Sequence, residues 1–316
     1  MTPLRQSIDD YLTLRRRLGV TLHETGRVLA AFATYAEAEG AAHVTTDLVL
    51  RWASCLSRVS PATLNGRVQM IRRFTQWRQL TDPRTEVPRA DLLPGRYRRR
   101  PPRLYREEDI PRLLTAARHL PSPNGLRGRS YATLFGLLVV TGLRSSEVVA
   151  LDDADLDPHE ATLLIRRTKF GKSRLVPLHA STLEALTAYQ AVRDRVVRYR
   201  RTDALFVSEL GVRITQGAAE YTFARVSAQI GLRPPFRAHR LGRGFPRLHD
   251  LRHRFAIRTL VNGYRGGGAV DPLLPVLATY LGHVHVQDTY WYLEAVPELL
   301  QLATKRLTDA GRAGEP

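Results

Sequence analysis

Residues 130–151 read SYATLFGLLVVTGLRSSEVVAL. Apolar side chains fill almost every position up to Val140, more than the single stripe of a surface helix, so the stretch is expected to be a helix buried in a core. Arg144 breaks the pattern. A guanidinium in such a segment is costly to bury without a partner, and Glu147, one helical turn on, stands where it can pair with it.

Working outward, the surroundings are mostly helical. REEDIPRLLTAARHL precedes the segment as a helix, and STLEALTAYQAVRDRVVRYR, QGAAEYTFARVSAQIG and LHDLRHRFAIRTLVNG follow it. Between them, ATLLIRRT and SRLVPL alternate in the manner of two strands, joined by KFGK with Gly171 in the turn. DDADLD, residues 152–157, is read as a solvated turn; Pro158 stands where a calcium loop needs glycine. The last helix, VPELLQLATKRLTDAG, carries Leu299, Leu300, Leu302 and Leu307 near one face. Residues 1–90 read as a separate helical domain. Gly19 and Gly40 stop its first two helices, Thr45 or Thr46 caps the third, and Ser60 caps the fourth with Pro61 in its first turn. In that fourth helix Leu64, Val68, Ile71 and Phe74 form an apolar stripe, and Arg67, Arg72, Arg73 and Arg78 fall largely away from it. Residues 91–103, with four prolines and glycines and the run Arg98, Arg99, Arg100, form a basic linker, and residues 104–316 form the larger domain.

The fold class is therefore mainly α with a small β-sheet. No apolar run is long enough to span a membrane, and MTPLRQSIDDYL lacks the apolar core of a signal peptide, so a cytoplasmic, nucleoid-associated protein is expected. A single cysteine, Cys55, excludes an internal disulfide and a cysteine metal cluster. The net charge of +18 favours a polyanionic partner. Only Lys169, Lys172 and Lys305 are lysines, beside 45 arginines, and two of the three lie in RTKFGKSR. Lysine releases a proton where arginine does not, so its use at this turn suggests chemistry.

Arg144, Lys169, His249 and Arg252 in HDLRH, His283 in LGH, and a tyrosine of DTYWYLE are together suited to phosphoryl transfer. Arginines clamp non-bridging oxygens, histidine and lysine move protons, and a tyrosine can attack. Tyr290 and Tyr292 lie roughly 200° apart on a helix and cannot both face one phosphate. Zinc held by His253 and His285 is a weak alternative, with no cysteine nearby.

From about 104 to 300 the sequence resembles the tyrosine recombinases, the phage-integrase family that includes the Xer recombinases. TGLRSSEVVALDDADLD resembles the first arginine box, HDLRH the second, and RTKFGKSRLVPL the β-hairpin whose lysine stands seven residues before VPL. The tyrosine nine residues beyond the LGH histidine is Tyr292. The stretches VHVQDT, YRGGGAVDPLLPV and RAHRLGRGFPR depart from the usual pattern without removing a catalytic residue type.

The resemblance implies a helical core-binding (SAM-like) domain and a mixed α/β catalytic domain closing as a clamp on double-stranded DNA at a specific recombination site. It implies that Tyr292 attacks a phosphate to give a 3′-phosphotyrosyl link, with Lys169 as general acid and Arg144, Arg252 and His283 stabilising the transition state. His249 assists as base or hydrogen-bond partner. No metal or other cofactor is needed. Homotetramers form on DNA, possibly with related recombinases, and the last helix docks on a neighbour or on its own domain. DNA contacts are expected from Arg72, Arg73, Arg98, Arg99, Arg100, Lys172, Arg174 and Arg243. Two rivals share the charge: a catalytically silent DNA-binding regulator, and a strand relaxer of the type IB topoisomerase kind.

Overall fold

The computed structural model describes residues 2–57, 59–95, 104–166, 173–234, 245–266, 272–283 and 285–313. The chain divides into two compact units, Met1–Arg100 and Pro101–Pro316.

The first unit holds four helices, α1 (Pro3–Arg17), α2 (His23–Ala38), α3 (Thr46–Ser54) and α4 (Pro61–Arg78). Their starts follow from local chemistry. The Thr45 hydroxyl accepts from the Leu48 amide at 3.1 Å and the Ser60 hydroxyl from the Thr63 amide at 3.2 Å, each satisfying a donor that has no partner within its helix. Val68, Ile71 and Phe74 are fully buried, and Phe74 meets Tyr11 edge-on at 5.6 Å. Arg78 differs from expectation. It lies four residues past Phe74 and seven past Ile71, so it continues the apolar stripe; it is buried and pairs with Asp82 at 3.4 Å.

The second unit is built on α5 (Asp109–Arg118) and α6 (Leu126–Thr141), with α8 (Ala180–Val196) and α9 (Gln216–Gln229) packed around them. The apolar segment that opened the sequence reading is two helices rather than one. Gly142 adopts φ +61°, ends α6, and lets Arg144 start α7 (Ser145–Ala150). A Cβ at Gly142 would collide with the Phe255 ring. The sheet is antiparallel in the order β1 (Leu156–Asp157), β2 (Thr162–Ile165), β3 (Arg174–Pro177), with Leu163 opposite Val176.

DDADLD is a solvated turn only at its end, where Asp157 is exposed and accepts from the His159 and Glu160 amides. Asp152 pairs with Arg213, Asp153 with Arg193 and Arg200, and Asp155 with Arg166. These three acids take their arginine partners from residues 166 to 213, which local composition does not reveal.

A second apolar cluster joins α10 (Asp250–Arg265), α11 (Leu273–Leu281), α12 (Gln287–Ala295) and α13 (Pro297–Ala313). Here α13 packs on α10 and α12 of its own unit, with Leu299 fully buried and Leu300 exposed. No helix among the described residues is long and apolar enough to cross a membrane.

Candidate active site

The site is organised by the end of one short helix. The last carbonyls of a helix have no partner within it and carry the negative end of its dipole. At the end of α11, three arginines from three other elements serve three successive carbonyls. Arg174 Nε of β3 donates to Tyr280 O at 2.8 Å, Arg252 Nη2 of α10 to Leu281 O at 2.6 Å, and Arg144 Nη2 to Gly282 O at 3.0 Å. Gly282 closes the helix at φ +68°, its N–H bonding Thr279 O and the His283 N–H bonding Ala278 O, both at 2.9 Å. A Cβ there would stand 3.0 Å from Arg174 Nη1, so the glycine of LGH is needed both for the turn and for passage of the guanidinium.

Glu147 ties two of the arginines together. Its carboxylate accepts from Arg144 Nη1 at 2.7 Å, from the Arg144 amide at 3.0 Å, and from Arg174 at 2.8 and 3.1 Å. Burial alone would raise its pKa, but the hydrogen bonds from Arg174 and Arg144 outweigh that and hold it below the usual carboxylate value. The expected Arg144–Glu147 pair is therefore present, and it leaves Arg144 partly open to solvent.

Arg252 is fully buried, its Nη1 donating to Gly142 O at 2.9 Å. Among the described residues no carboxylate bonds to it. Burial first, and the charge of Arg144 second, push its pKa down to about 10, so it remains a cation at neutral pH. Three guanidiniums and one carboxylate leave this cluster with a surplus of two positive charges.

Tyr292 meets the cluster from α12. It is 1% exposed, and its hydroxyl lies 2.8 Å from His253 Nδ1. A phenolate here would raise the Arg252 pKa, which marks the two groups as electrostatic neighbours. Trp291 packs against both rings, at 5.2 Å from Tyr292 and 5.6 Å from His253. Tyr290, two residues away, is exposed, as the helical angle requires. His283 Nδ1 lies 2.8 Å from the hydroxyl of buried Thr289, linking the turn after α11 to α12.

His249 stands at the start of α10, with His253 edge-on at 4.8 Å. Desolvation, then the charge of Arg252, push its pKa down to about 4 against the pull of Asp250, with Arg247 and Arg144 adding to the decrease. The residue is nonetheless exposed, which leaves the cationic neighbours as a second cause beside desolvation. By either cause it is neutral near pH 7.

Arg144, His249, Arg252, His283 and Tyr292 thus converge on α10, α11 and α12. Lys169, Lys172, Arg98, Arg99, Arg100 and Arg243 lie outside the described residues. Arg73 is exposed on α4, whereas Arg72 is half-buried with Nε donating to Pro88 O at 2.9 Å. Arg174, expected at DNA, donates from each of its three nitrogens to a partner within the protein. His253 was missed as a partner of Tyr292, although HDLRH sets it four residues from His249 on one helix face. The zinc alternative has no support among the described residues, where no group of three or more His, Cys, Asp or Glu side chains is placed to hold a metal.

The phage integrase family model matches residues 103–298. The protein y4rB of Sinorhizobium fredii, named for the integrases/recombinases, is 46% identical over 97% of this chain and 98% of its own length. The tyrosine recombinase XerD of Mycobacterium tuberculosis H37Rv is 33% identical over 76% of this chain and 70% of its own. The Tn1549 transposon integrase, solved in complex with transposon right end DNA, shares the fold at a TM-score of 0.63 and 17% identity, over 97% of this chain and 100% of that one. The boxes around Arg144, Arg252 and Tyr292 all fall inside the matched region, and the chain belongs to the phage integrase family, the tyrosine recombinases.

Proposed function

We propose that this chain is a site-specific DNA recombinase that cleaves and rejoins strands through Tyr292. The observation that carries this reading is the juxtaposition of a tyrosine hydroxyl with a guanidinium cluster whose positive charge exceeds its carboxylates. Such a surplus suits a phosphodiester, whose charge grows in the transition state. The Tyr292 oxygen attacks phosphorus, the bond from phosphorus to the 5′ oxygen breaks, and the DNA is left on the enzyme by a 3′-phosphotyrosyl link. Lys169 donates the proton that the departing 5′ oxygen takes up. Arg144 and Arg252 hold the non-bridging oxygens with His283 beside them, and His249 accepts or shares a proton. Attack by a second 5′ hydroxyl reverses the step on a new partner.

Because the arginines carry the electrostatic work, the reaction needs no metal ion, and cleavage is expected to persist in EDTA. Tyr292 is buried, so its phenol has to be uncovered when DNA binds. Unit 1, with Arg73 exposed on α4, contributes the core-binding surface, and the basic residues 98–100, Lys172 and Arg243 add backbone contacts. The junction-bound tetramer solved for lambda integrase supports a tetramer on DNA for this chain as well.

The test uses a duplex selected by the protein from a random-sequence pool and then nicked beside the cleavage point, so that the released fragment cannot rejoin. Wild type should accumulate a covalent adduct and Tyr292→Phe none. An adduct with Tyr292→Phe, or none with wild type on DNA that it binds tightly, contradicts the reading.

A further inference from the structure

Arg174 has the contacts of a residue that acts through others. It enters from β3, yet its side chain is only 14% exposed and every nitrogen donates inward. Two of them form a fork on Glu147, at 2.8 and 3.1 Å, and the third holds Tyr280 O at 2.8 Å. Glu147 in turn holds both the side chain and the amide of Arg144. The guanidinium also passes the face of Gly282, where even a methyl group would crowd it.

One side chain therefore joins the sheet, the first turn of α7 and the last turn of α11. Partners lie 27 and 106 residues away in sequence. Glu147 alone would leave Arg144 free to pivot about a single carboxylate. With Arg174 on the same two oxygens, the carboxylate is fixed in plane, and the Tyr280–Gly282 turn that receives Arg144 Nη2 is fixed as well.

We infer that Arg174 is a positioning residue for the phosphate clamp: through Glu147 and the Tyr280–Gly282 turn it sets where Arg144 meets the scissile phosphate, and it does not itself touch DNA. This rests on the reading of Arg144 as a clamp given above. Misplacing a reacting group by about 1 Å costs on the order of 10²-fold in rate, so a loss of this kind should appear in the cleavage step and not in DNA affinity.

The experiment measures single-turnover cleavage and DNA affinity for Arg174→Met, Arg174→Lys and Arg144→Ala. It uses the nicked duplex and a matching duplex whose scissile phosphate carries a methyl group in place of one non-bridging oxygen. That substrate has lost the negative charge that the clamp serves. Arg174→Met should cleave the ordinary duplex roughly 30-fold more slowly, and Arg174→Lys, which keeps the charge without the fork, by roughly 10-fold. Affinity and its salt dependence should match wild type. On the methylphosphonate duplex the deficits of Arg144→Ala and Arg174→Met should both shrink to within about 3-fold.

A weaker salt dependence with a normal cleavage rate would make Arg174 a DNA contact and overturn the inference. An undiminished Arg174→Met deficit beside a diminished Arg144→Ala deficit would overturn it too. An undiminished Arg144→Ala deficit would instead remove the clamp reading itself, and the inference with it. A shared loss of thermal stability and DNA affinity in both Arg174 variants would reduce the residue to a fold-stabilising role.

Discussion

Two fully buried arginines in the same unit are treated in opposite ways. Arg193 lies between carboxylates, with Nη1 2.6 Å from Asp153 and Nε 2.8 Å from Asp194, and Arg200 joins the same acids. Burial acts to lower its pKa, but those carboxylates outweigh it and the value rises. Arg252 is as deeply buried, bonds only to the carbonyls of Gly142 and Leu281 among the described residues, and has its pKa pushed down to about 10. Two arginines against two acids make a neutral structural knot. Three arginines against one acid make a site with a positive surplus. Burial alone does not separate structure from function; the charge balance does.

The largest expected effect that tests this contrast is on activity. Arg252→Met should lower strand cleavage by roughly 10³-fold, because it removes a buried donor from the transition state. Its stability should change by less than about 2 kcal/mol, since an uncompensated buried charge leaves along with two hydrogen bonds. Arg193→Met should do the reverse. It should cost about 2–4 kcal/mol through the lost charge-assisted hydrogen bonds to Asp153 and Asp194 and the buried Leu205 O left without its donor, while cleavage per folded molecule stays within a few-fold of wild type. Denaturant melts beside single-turnover kinetics measure both, and equal stability losses for the two variants would dissolve the distinction.

Next in size is an anion effect. Orthovanadate, a phosphate mimic, should stabilise wild type by about 2.7 kcal/mol at a hundredfold excess over its Kd. The gain should persist in Arg193→Met, relative to that variant's own baseline, and vanish in Arg252→Met.

A smaller effect concerns pH. His249 has a folded pKa of about 4 against 6.5 for the free side chain, so between those values the unfolded chain binds the extra proton. Its contribution to stability is therefore complete above about pH 6.5 and is lost as pH falls toward about 4. His249→Asn should remove that part of the acid sensitivity, read as the difference between the two melting curves over this interval. Parallel curves would mean that the cationic neighbours do not act on His249 as the geometry indicates. Smallest of all, Arg73→Ala should leave stability within about 0.5 kcal/mol, because its side chain is exposed.

How much of this was legible in the sequence depends on the distance over which each feature is decided. Ser60 and Thr45 act on amides three residues away, so their caps were readable. The division between Tyr290 and Tyr292 follows from helix geometry alone. The contacts of Arg174 were not legible, because its partners, Glu147 and Tyr280 O, come from distant elements. The first three acids of DDADLD were misread for the same reason, since their arginines arrive from residues 166 to 213. The break at Gly142 carried a local signal, a glycine free to take a positive φ, but the apolar run on both sides of it concealed the stop. His253 carried a signal in its spacing, but nothing local said that a tyrosine would reach it.

The most direct measurement is the site of attachment itself. After reaction with the nicked duplex, the covalent adduct is digested with nuclease and protease, and the peptide carrying the nucleotide is sequenced by mass spectrometry. Attack by Tyr292 puts the nucleotide on that residue and leaves Tyr290 in the same peptide unmodified. Attachment at Tyr290, or at any residue other than Tyr292, would contradict it.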